Sequence, residues 1–118
     1  MNESTAAVQI ANLIHEGFDV FYDEFKRMTR QCRQRFDNRE WTRIHEESHA
    51  RIDLYQQHVA RVLGNLERFA DPVPREPSLW KEAHRHFAVV TADRVDREVA
   101  ETFFNAITRK IFRTVGVN

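Results

Sequence analysis

The stretch of the chain most suggestive of an enzyme is HEESH, residues 45–49. Histidines four residues apart lie on the same face of a helix. Zinc metalloproteases use the pattern H-E-x-x-H to bind the metal and to place a glutamate beside it as general base. His45, Glu46 and His49 would take these roles here, so the stretch raises the hypothesis of a zinc-dependent peptidase.

The sequence around HEESH does not supply the rest of such a site. A catalytic zinc needs a third protein ligand and an open fourth position. Where metzincins carry the next glycine and histidine, this chain has Ile52 and Tyr55, and His58 lies more than two helical turns beyond His49. A glutamate from elsewhere in the chain stays open as an alternative third ligand. We predict that HEESH is a solvated helix surface, with Glu46 and Glu47 pointing outward, and that it binds no metal.

Other patterns that carry chemistry are incomplete as well. A di-iron helix bundle needs two Glu-x-x-His pairs, and this chain has one, at Glu46 and His49. The three glycines are far apart, so they form no phosphate-binding loop, and no serine or cysteine has the sequence context of a nucleophile. The sequence therefore predicts no catalytic, cofactor-binding or metal-binding residue.

The composition of the chain limits its possible cellular locations and binding partners. The 118 residues include 18 basic and 18 acidic side chains, and their interleaving argues against a nucleic-acid-binding stripe. The chain has neither an apolar run long enough for a membrane span nor a signal peptide at its N-terminus. Its single cysteine, Cys32, lies on an apolar helix face and cannot form an internal disulfide. We therefore expect a buried Cys32, a cytoplasmic location, and neither a nucleic acid nor a membrane as partner.

Apolar residues recur every three or four positions, as on one face of a helix. In the first helix they are Ala7, Ala11, Ile14, Phe18, Phe21, Phe25, Met28 and Cys32. In the second they are Trp41, Ile44, Ile52, Tyr55, Val59, Val62, Leu66 and Phe69, with Ser48 in the same register. Between them, Asp37 and Glu40 suggest a capping box, and Phe36 and Trp41 a hydrophobic staple. These features predict an antiparallel helical hairpin. Gly17, inside the first helix, marks either the close approach of another backbone or a tolerated glycine.

The second half of the chain predicts two shorter helices. All three prolines fall in a loop at about residues 70–78, where a helix cannot continue. Ser78 would cap the third helix, and Thr91 or Asp93 the fourth. No strand pattern is present. We predict an all-α protein, an up-and-down arrangement of four helices built on the long N-terminal hairpin, forming a single helical domain over residues 1–118.

Adjacent apolar residues in the last helix raise a question about packing. Phe103 is followed by Phe104, and Ile111 by Phe112, and neighbours on a helix point about 100° apart. One member of each pair can face the bundle. The other needs a wide buried arc, a further part of a longer protein, or a second copy of this chain.

A collinear set of short elements resembles the N-terminal region of bacterial isocitrate dehydrogenase kinase/phosphatase. These elements are Gly17-Phe18-Asp19, Arg35-Phe36, Trp41, Arg51-Ile52, Leu54-Tyr55, His58-Val59, Ala100-Glu101 and Phe103-Phe104-Asn105. They extend from about residue 10 to residue 113. No single element is diagnostic, whereas their order and spacing together are specific.

The resemblance implies a cytosolic, bifunctional enzyme. Members phosphorylate isocitrate dehydrogenase with ATP and magnesium and also remove that phosphate, which controls entry into the glyoxylate bypass. An all-helical regulatory domain precedes a kinase-like domain, and an adenine nucleotide effector binds between them. This chain resembles only the first part of the regulatory domain and carries none of the kinase motifs, so we expect a fragment that is inactive alone.

The implied partners are the remainder of the regulatory and kinase domains and, through the parent enzyme, isocitrate dehydrogenase. Self-association is a further possibility, because it would also cover exposed apolar faces. Two other interpretations stay open. One is a stand-alone helical adaptor whose paired phenylalanines bind a partner helix, and the other is the zinc metalloprotease based on His45, Glu46 and His49.

Overall fold

The structure, a computed structural model, describes residues 2–36, 39–92 and 97–114, and these residues form four α-helices and no strand. The helices are α1 (Asn2–Arg35), α2 (Glu40–Phe69), α3 (Pro77–Val90) and α4 (Arg97–Thr114). Within these ranges, none of the helices has the length and apolar character needed to cross a bilayer. The predicted all-α fold with four helices is confirmed.

Helices α1 and α2 form a long antiparallel hairpin. They have 34 and 30 residues, or about 51 and 45 Å at 1.5 Å per residue, which accounts for most of the 55 Å long axis of the molecule. The Cys32 Sγ lies 3.4 Å from the carbonyl oxygen of Arg43 near the turn. Eight residues earlier in α1, Glu24 lies 3.2 Å from His58. The chain order of these contacts shows that the two helices run in opposite directions.

The two shorter helices pack against one end of this hairpin. We call the resulting four-helix part of the molecule, formed by residues 2–25, 53–92 and 97–114, the base. Helix α3 has 14 residues and α4 has 18, and a connection over residues 70–76 leads from α2 into α3. Helix α3 packs mainly on α1, whereas α4 contacts all three other helices. The buried residues of α3 are Leu79, Trp80, Ala83 and Phe87.

Aromatic rings from three helices form the centre of the base. Phe18 and Phe21 of α1, Phe87 of α3 and Phe103 of α4 are each 0% exposed. The Phe103 ring centroid lies 5.1 Å from that of Phe21 and 5.6 Å from that of Phe18, and Phe87 meets Phe18 edge-on at 6.1 Å. Such contacts add to the free energy gained by burying the rings.

The adjacent phenylalanines of α4 are both buried within the chain. Phe104 is 2% exposed, and its ring lies 5.1 Å from Phe87 and 6.2 Å from Trp80. Phe103 turns instead toward α1, so α4 packs along two of its sides. For this pair, the wide buried arc is therefore the correct alternative; in the second pair Ile111 is 4% exposed and Phe112 is half-buried against the same core. The adaptor interpretation, which needed these rings on the surface, is wrong.

Gly17 is a position of close helix packing. A Cβ added there would collide with Cγ2 of Val62, which is 0% exposed on α2. The neighbour that requires the glycine is thus a side chain inserted between the helices, whereas the sequence suggested a backbone.

The start of α2 differs from the sequence prediction. Its N-cap is Arg39, whose side chain makes no capping hydrogen bond, and the predicted cap Asp37 lies outside the described residues. Because the helix begins at Glu40, Trp41 is its second residue instead of the fourth that a staple requires. Trp41 is 80% exposed, so the predicted staple is wrong. The Phe36 ring instead lies 4.6 Å beneath the Arg35 guanidinium.

The ends of α3 also differ from the sequence prediction by a few residues. The helix begins at Pro77 with Glu76 as N-cap, because proline suits the first helical position, where no amide hydrogen is needed. Ser78 lies inside the first turn and is not the cap. Thr91 ends α3: its hydroxyl donates a hydrogen bond to the Phe87 carbonyl oxygen at 2.8 Å. The alternative cap of the fourth helix, Asp93, lies outside the described residues.

Candidate interaction surface at the hairpin tip

The hairpin extends past the base as a tip, which we define as residues 26–36 and 39–52. Helix α1 is about 51 Å long, whereas α3 and α4 are about 21 and 27 Å. Within the tip only Cys32 and Glu47 are buried. The buried Cys32 agrees with the sequence prediction. The tip is therefore two helices thick for most of its length and presents nearly all of its side chains to solvent.

The apolar stripe of α2 is buried at one end and exposed at the other. In the base, Val59 is 4% exposed and Leu66 is 0% exposed. In the tip, Trp41, Ile44 and Ile52 are 80%, 47% and 55% exposed. The prediction that the whole stripe faces the bundle is wrong for this half, because the other described helices do not cover it. The result is an apolar face of three large side chains at helical spacing.

A different line of α2 residues is buried in the tip and directly below it. It runs through Glu47, Leu54 and His58, all of them buried. The prediction that Glu47 points outward is wrong: its side chain lies between two arginines of its own helix. Arg43 Nη1 and Arg51 Nη2 each donate to one of its carboxylate oxygens at 3.3 Å. Two guanidinium groups thus compensate the loss of water around this carboxylate.

A basic groove runs between α1 and α2 beside this carboxylate. It encloses about 740 Å³ and is lined by Lys26, Arg30 and Arg33 of α1 and Arg51 of α2, and Val99 of α4 closes its lower end. The Arg51 guanidinium also lies 5.4 Å from the Phe25 ring, which holds it over the groove floor. Four cationic side chains therefore surround one solvent-filled groove.

The charge of the chain is unevenly distributed. Residues 26–52 carry eight basic and four acidic side chains, whereas the remaining residues carry ten basic and fourteen acidic ones. The tip segment has a net charge of +4 and the rest of the chain −4. The sequence prediction of interleaved charge missed this separation, although a count in windows of about 25 residues would have found it.

The HEESH residues lie on the outer side of the tip. His45, Glu46 and His49 are all exposed, and the two imidazole rings are 4.5 Å apart between centroids. In the described ranges no group of three His, Cys, Asp or Glu side chains could hold a metal ion. The structure thus brings the two histidines together without giving them a third ligand among these residues. That they bind no zinc stays a prediction.

Two other histidines make contacts between helices that sequence reasoning did not anticipate. His58 is 1% exposed, and its Nε2 lies 3.2 Å from a Glu24 carboxylate oxygen. Its Nδ1 has no partner among the described residues. In α3, the Nε2 of His84 lies 2.6 Å from Glu101 of α4. Each imidazole pairs with one carboxylate, which suits a cross-link between helices.

Tyr55 lies where the tip meets the base. Its ring packs 4.5 Å from Phe21 and 6.4 Å from Phe103. Burial raises the pKa of its phenol above the ordinary value of 10.0, and the nearby Arg51 guanidinium lowers it in part. Tyr55 is therefore the half-buried end of the apolar face that continues through the exposed Ile52.

Comparison with known proteins identifies the family of this helical arrangement. The family model for the regulatory domain of isocitrate dehydrogenase kinase/phosphatase (AceK) matches residues 11–118. The chain belongs to this family. The resemblance carried by its short elements is therefore confirmed, over nearly the whole chain.

Curated members of the family agree with this assignment. The chain is 33% identical over 112 residues to isocitrate dehydrogenase kinase/phosphatase from Xanthomonas euvesicatoria, a match that covers 95% of this chain and 19% of that enzyme. It is 32% identical over 108 residues to the enzyme of the same name from Anaeromyxobacter dehalogenans, covering 92% of this chain and 18% of that enzyme. The chain thus spans about a fifth of the length of these relatives.

Proposed function

We propose that the chain is a helical scaffold within the regulatory domain of a bifunctional enzyme that phosphorylates and dephosphorylates isocitrate dehydrogenase. The observation that carries this proposal is the family match over residues 11–118. The chain contributes no catalytic, nucleotide-binding or metal-binding residue. ATP and magnesium would act in a kinase-like domain outside the fifth of the relatives' length that the chain spans.

The proposed partners follow from this role. They are the remainder of the regulatory domain, the kinase-like domain and, through the assembled enzyme, isocitrate dehydrogenase. Such an enzyme would work in the cytoplasm, where isocitrate dehydrogenase and ATP are found together. The separation of the molecule into a packed base and an exposed tip supports this assignment, because the base supplies rigidity and the tip supplies a free surface for a neighbouring domain.

A chimeric enzyme tests the proposed function. The matched 112 residues of the Xanthomonas euvesicatoria relative would be replaced by this chain, and transfer of labelled phosphate to and from isocitrate dehydrogenase would be measured. We expect the chimera to retain both activities and the isolated chain to show neither. A folded, monodisperse chimera without activity, or phosphate transfer by the isolated chain, would contradict the proposal.

A further inference from the structure

The apolar face and the basic groove of the tip are neighbours on α2. At 100° per residue, Arg51 lies about 20° from Ile44 on one side and about 40° from Glu47 on the other. The groove lined by Arg51 therefore borders the face formed by Trp41, Ile44 and Ile52. Anything that covers this face brings one of its flanks against Lys26, Arg30 and Arg33 across the groove.

Helix α4 shows what kind of element covers this face in the base. Phe103 of α4 contacts Tyr55, and Val99 closes the lower end of the basic groove. Above Val99 the α2 stripe continues from Ile52 to Trp41, a rise of about 16 Å or three helical turns. The side chains there keep the three- and four-residue spacing that suits a packed helix. The uncovered length thus matches a short helix.

The positive charge of the tip indicates that the helix covering this face is acidic on one flank. The tip segment is +4, and four of its cations line the groove, so an occupant with carboxylates along one flank is attracted there. A nucleic acid suits the site less well, because its phosphates would pair with these cations but would leave the exposed aliphatic side chains of Ile44 and Ile52 uncovered.

We propose that the hairpin tip binds an amphipathic helix of about three turns that is apolar on one face and acidic along one flank. For the source of this helix the inference rests on the proposed function: it lies in the part of the kinase/phosphatase polypeptide outside the fifth that the chain spans. Its apolar side chains cover Trp41, Ile44 and Ile52, and its carboxylates pair with Arg30, Arg33 and Arg51.

The experiment uses three synthetic peptides of about 14 residues. The probe carries leucines at helical spacing and glutamates along one flank. A second peptide has lysines for the glutamates, and a third has serines for the leucines. Trp41 is 80% exposed and Trp80 is 2% exposed, so a blue shift of tryptophan emission during titration of the chain reports on Trp41. We expect the probe to bind at least about tenfold more tightly than either control peptide, and less tightly as salt is added.

Matched variants locate the site. Arg33→Glu and Ile52→Ser change exposed residues of the tip, and we expect each to weaken probe binding by about tenfold or more. Arg61→Glu and Val89→Ser change exposed residues outside the tip and should leave binding unchanged. Circular dichroism would check that all four variants are folded before their binding is compared.

Several outcomes would overturn the inference. One is equal binding of the lysine peptide. Another is a concentration-dependent dimer in sedimentation that Ile52→Ser disperses, which would make a second copy the occupant. A third is displacement of the probe by a short oligonucleotide at lower concentration. An active chimera with no probe binding overturns this inference alone. An inactive, folded chimera with intact probe binding overturns the proposed function and the assigned source of the helix, but not the binding site at the tip.

Discussion

The base and the tip of the molecule are built from the same two helices, yet their side chains are held in different ways. In the base, α3 and α4 enclose α1 and α2, and the largest side chains are fully buried, among them Phe18, Phe21 and Phe103. In the tip, Cys32 and Glu47 are the only buried residues among those described. The base is stabilised by apolar burial, whereas the tip depends on helix continuity and an arginine–glutamate cluster.

This difference suggests that the base provides the stability of the protein and that the tip provides a surface for binding a partner. A long helix whose lower half is packed can extend its upper half at little cost, because each further residue adds a hydrogen bond to an existing helix. The tip therefore does not need a core of its own, and its side chains are free to serve a partner. We therefore expect mutations in the base to change the free energy of unfolding strongly and mutations in the tip to change it little.

The largest expected effect is from Phe103→Ala. Phe103 is 0% exposed and lies 5.1 Å from Phe21, so truncation leaves a cavity in the base and should cost about 3–5 kcal/mol of unfolding free energy. Trp41→Ala removes an even larger aromatic side chain from the tip and should change the unfolding free energy by less than about 0.5 kcal/mol. Urea unfolding followed by circular dichroism measures both. Similar losses for the two variants would mean that the tip has a core of its own.

The next effect concerns two of the three glycines, Gly17 in α1 and Gly64 in α2. Gly17→Ala places a methyl group against Val62, so we expect overpacking to cost about 1–3 kcal/mol, more than the gain in helix propensity. Gly64→Ala is the control, since nothing lies within 4 Å of its added methyl, and it should stabilise the protein by about 0.5–1 kcal/mol. Thermal unfolding would measure whether each variant is less or more stable than the original protein. In a double-mutant cycle, the double variant Gly17→Ala/Val62→Ala should lose less stability than the sum of the two single variants, and strict additivity would disprove the collision.

A smaller effect is expected from Glu47→Gln in the tip. The change leaves Arg43 and Arg51 facing a neutral amide. Their side chains are 21% and 46% exposed, so water compensates part of the lost charge, and we expect a cost of about 1–2 kcal/mol. The adjacent Glu46→Gln lies on the exposed face and should change stability by less than about 0.5 kcal/mol. Equal values for the two variants would show that the cluster contributes nothing to the tip.

Most of the fold could be predicted from the sequence because its helices are strongly periodic. The α1 stripe from Ala7 to Phe21 is buried as its spacing predicts, and the prolines of residues 70–78 fall between α2 and α3 and in the first turn of α3. Periodicity cannot show where a neighbouring helix ends. The stripe of α2 is regular from Trp41 to Phe69, but only the length of α3 and α4 decides which part of it is covered.

The candidate surface was harder to predict than the fold. Glu47 looked like a solvated residue because its neighbours in sequence are charged, and only the folded structure shows that it is buried between Arg43 and Arg51. Nor does residue spacing show that Trp41, Ile44 and Ile52 are exposed. Charge separation, by contrast, was readable from the sequence alone, since residues 26–52 hold eight of the eighteen basic side chains.

The smallest expected effect is a pH dependence at Tyr55, where base and tip meet. Burial raises the pKa of the phenol above 10.0 in the folded state, so the folded protein holds this proton more tightly than the unfolded chain does. The resulting stability is present below about pH 10 and is lost as pH rises through the higher folded pKa. Tyr55→Phe removes the titration, and urea midpoints from pH 8 upward should diverge between the two proteins only above about pH 10. If the urea midpoints of the two proteins instead change in parallel with pH, the Tyr55 phenol is exposed to water like the side chains of the tip. Tyr55 would then belong to the tip and not to the base.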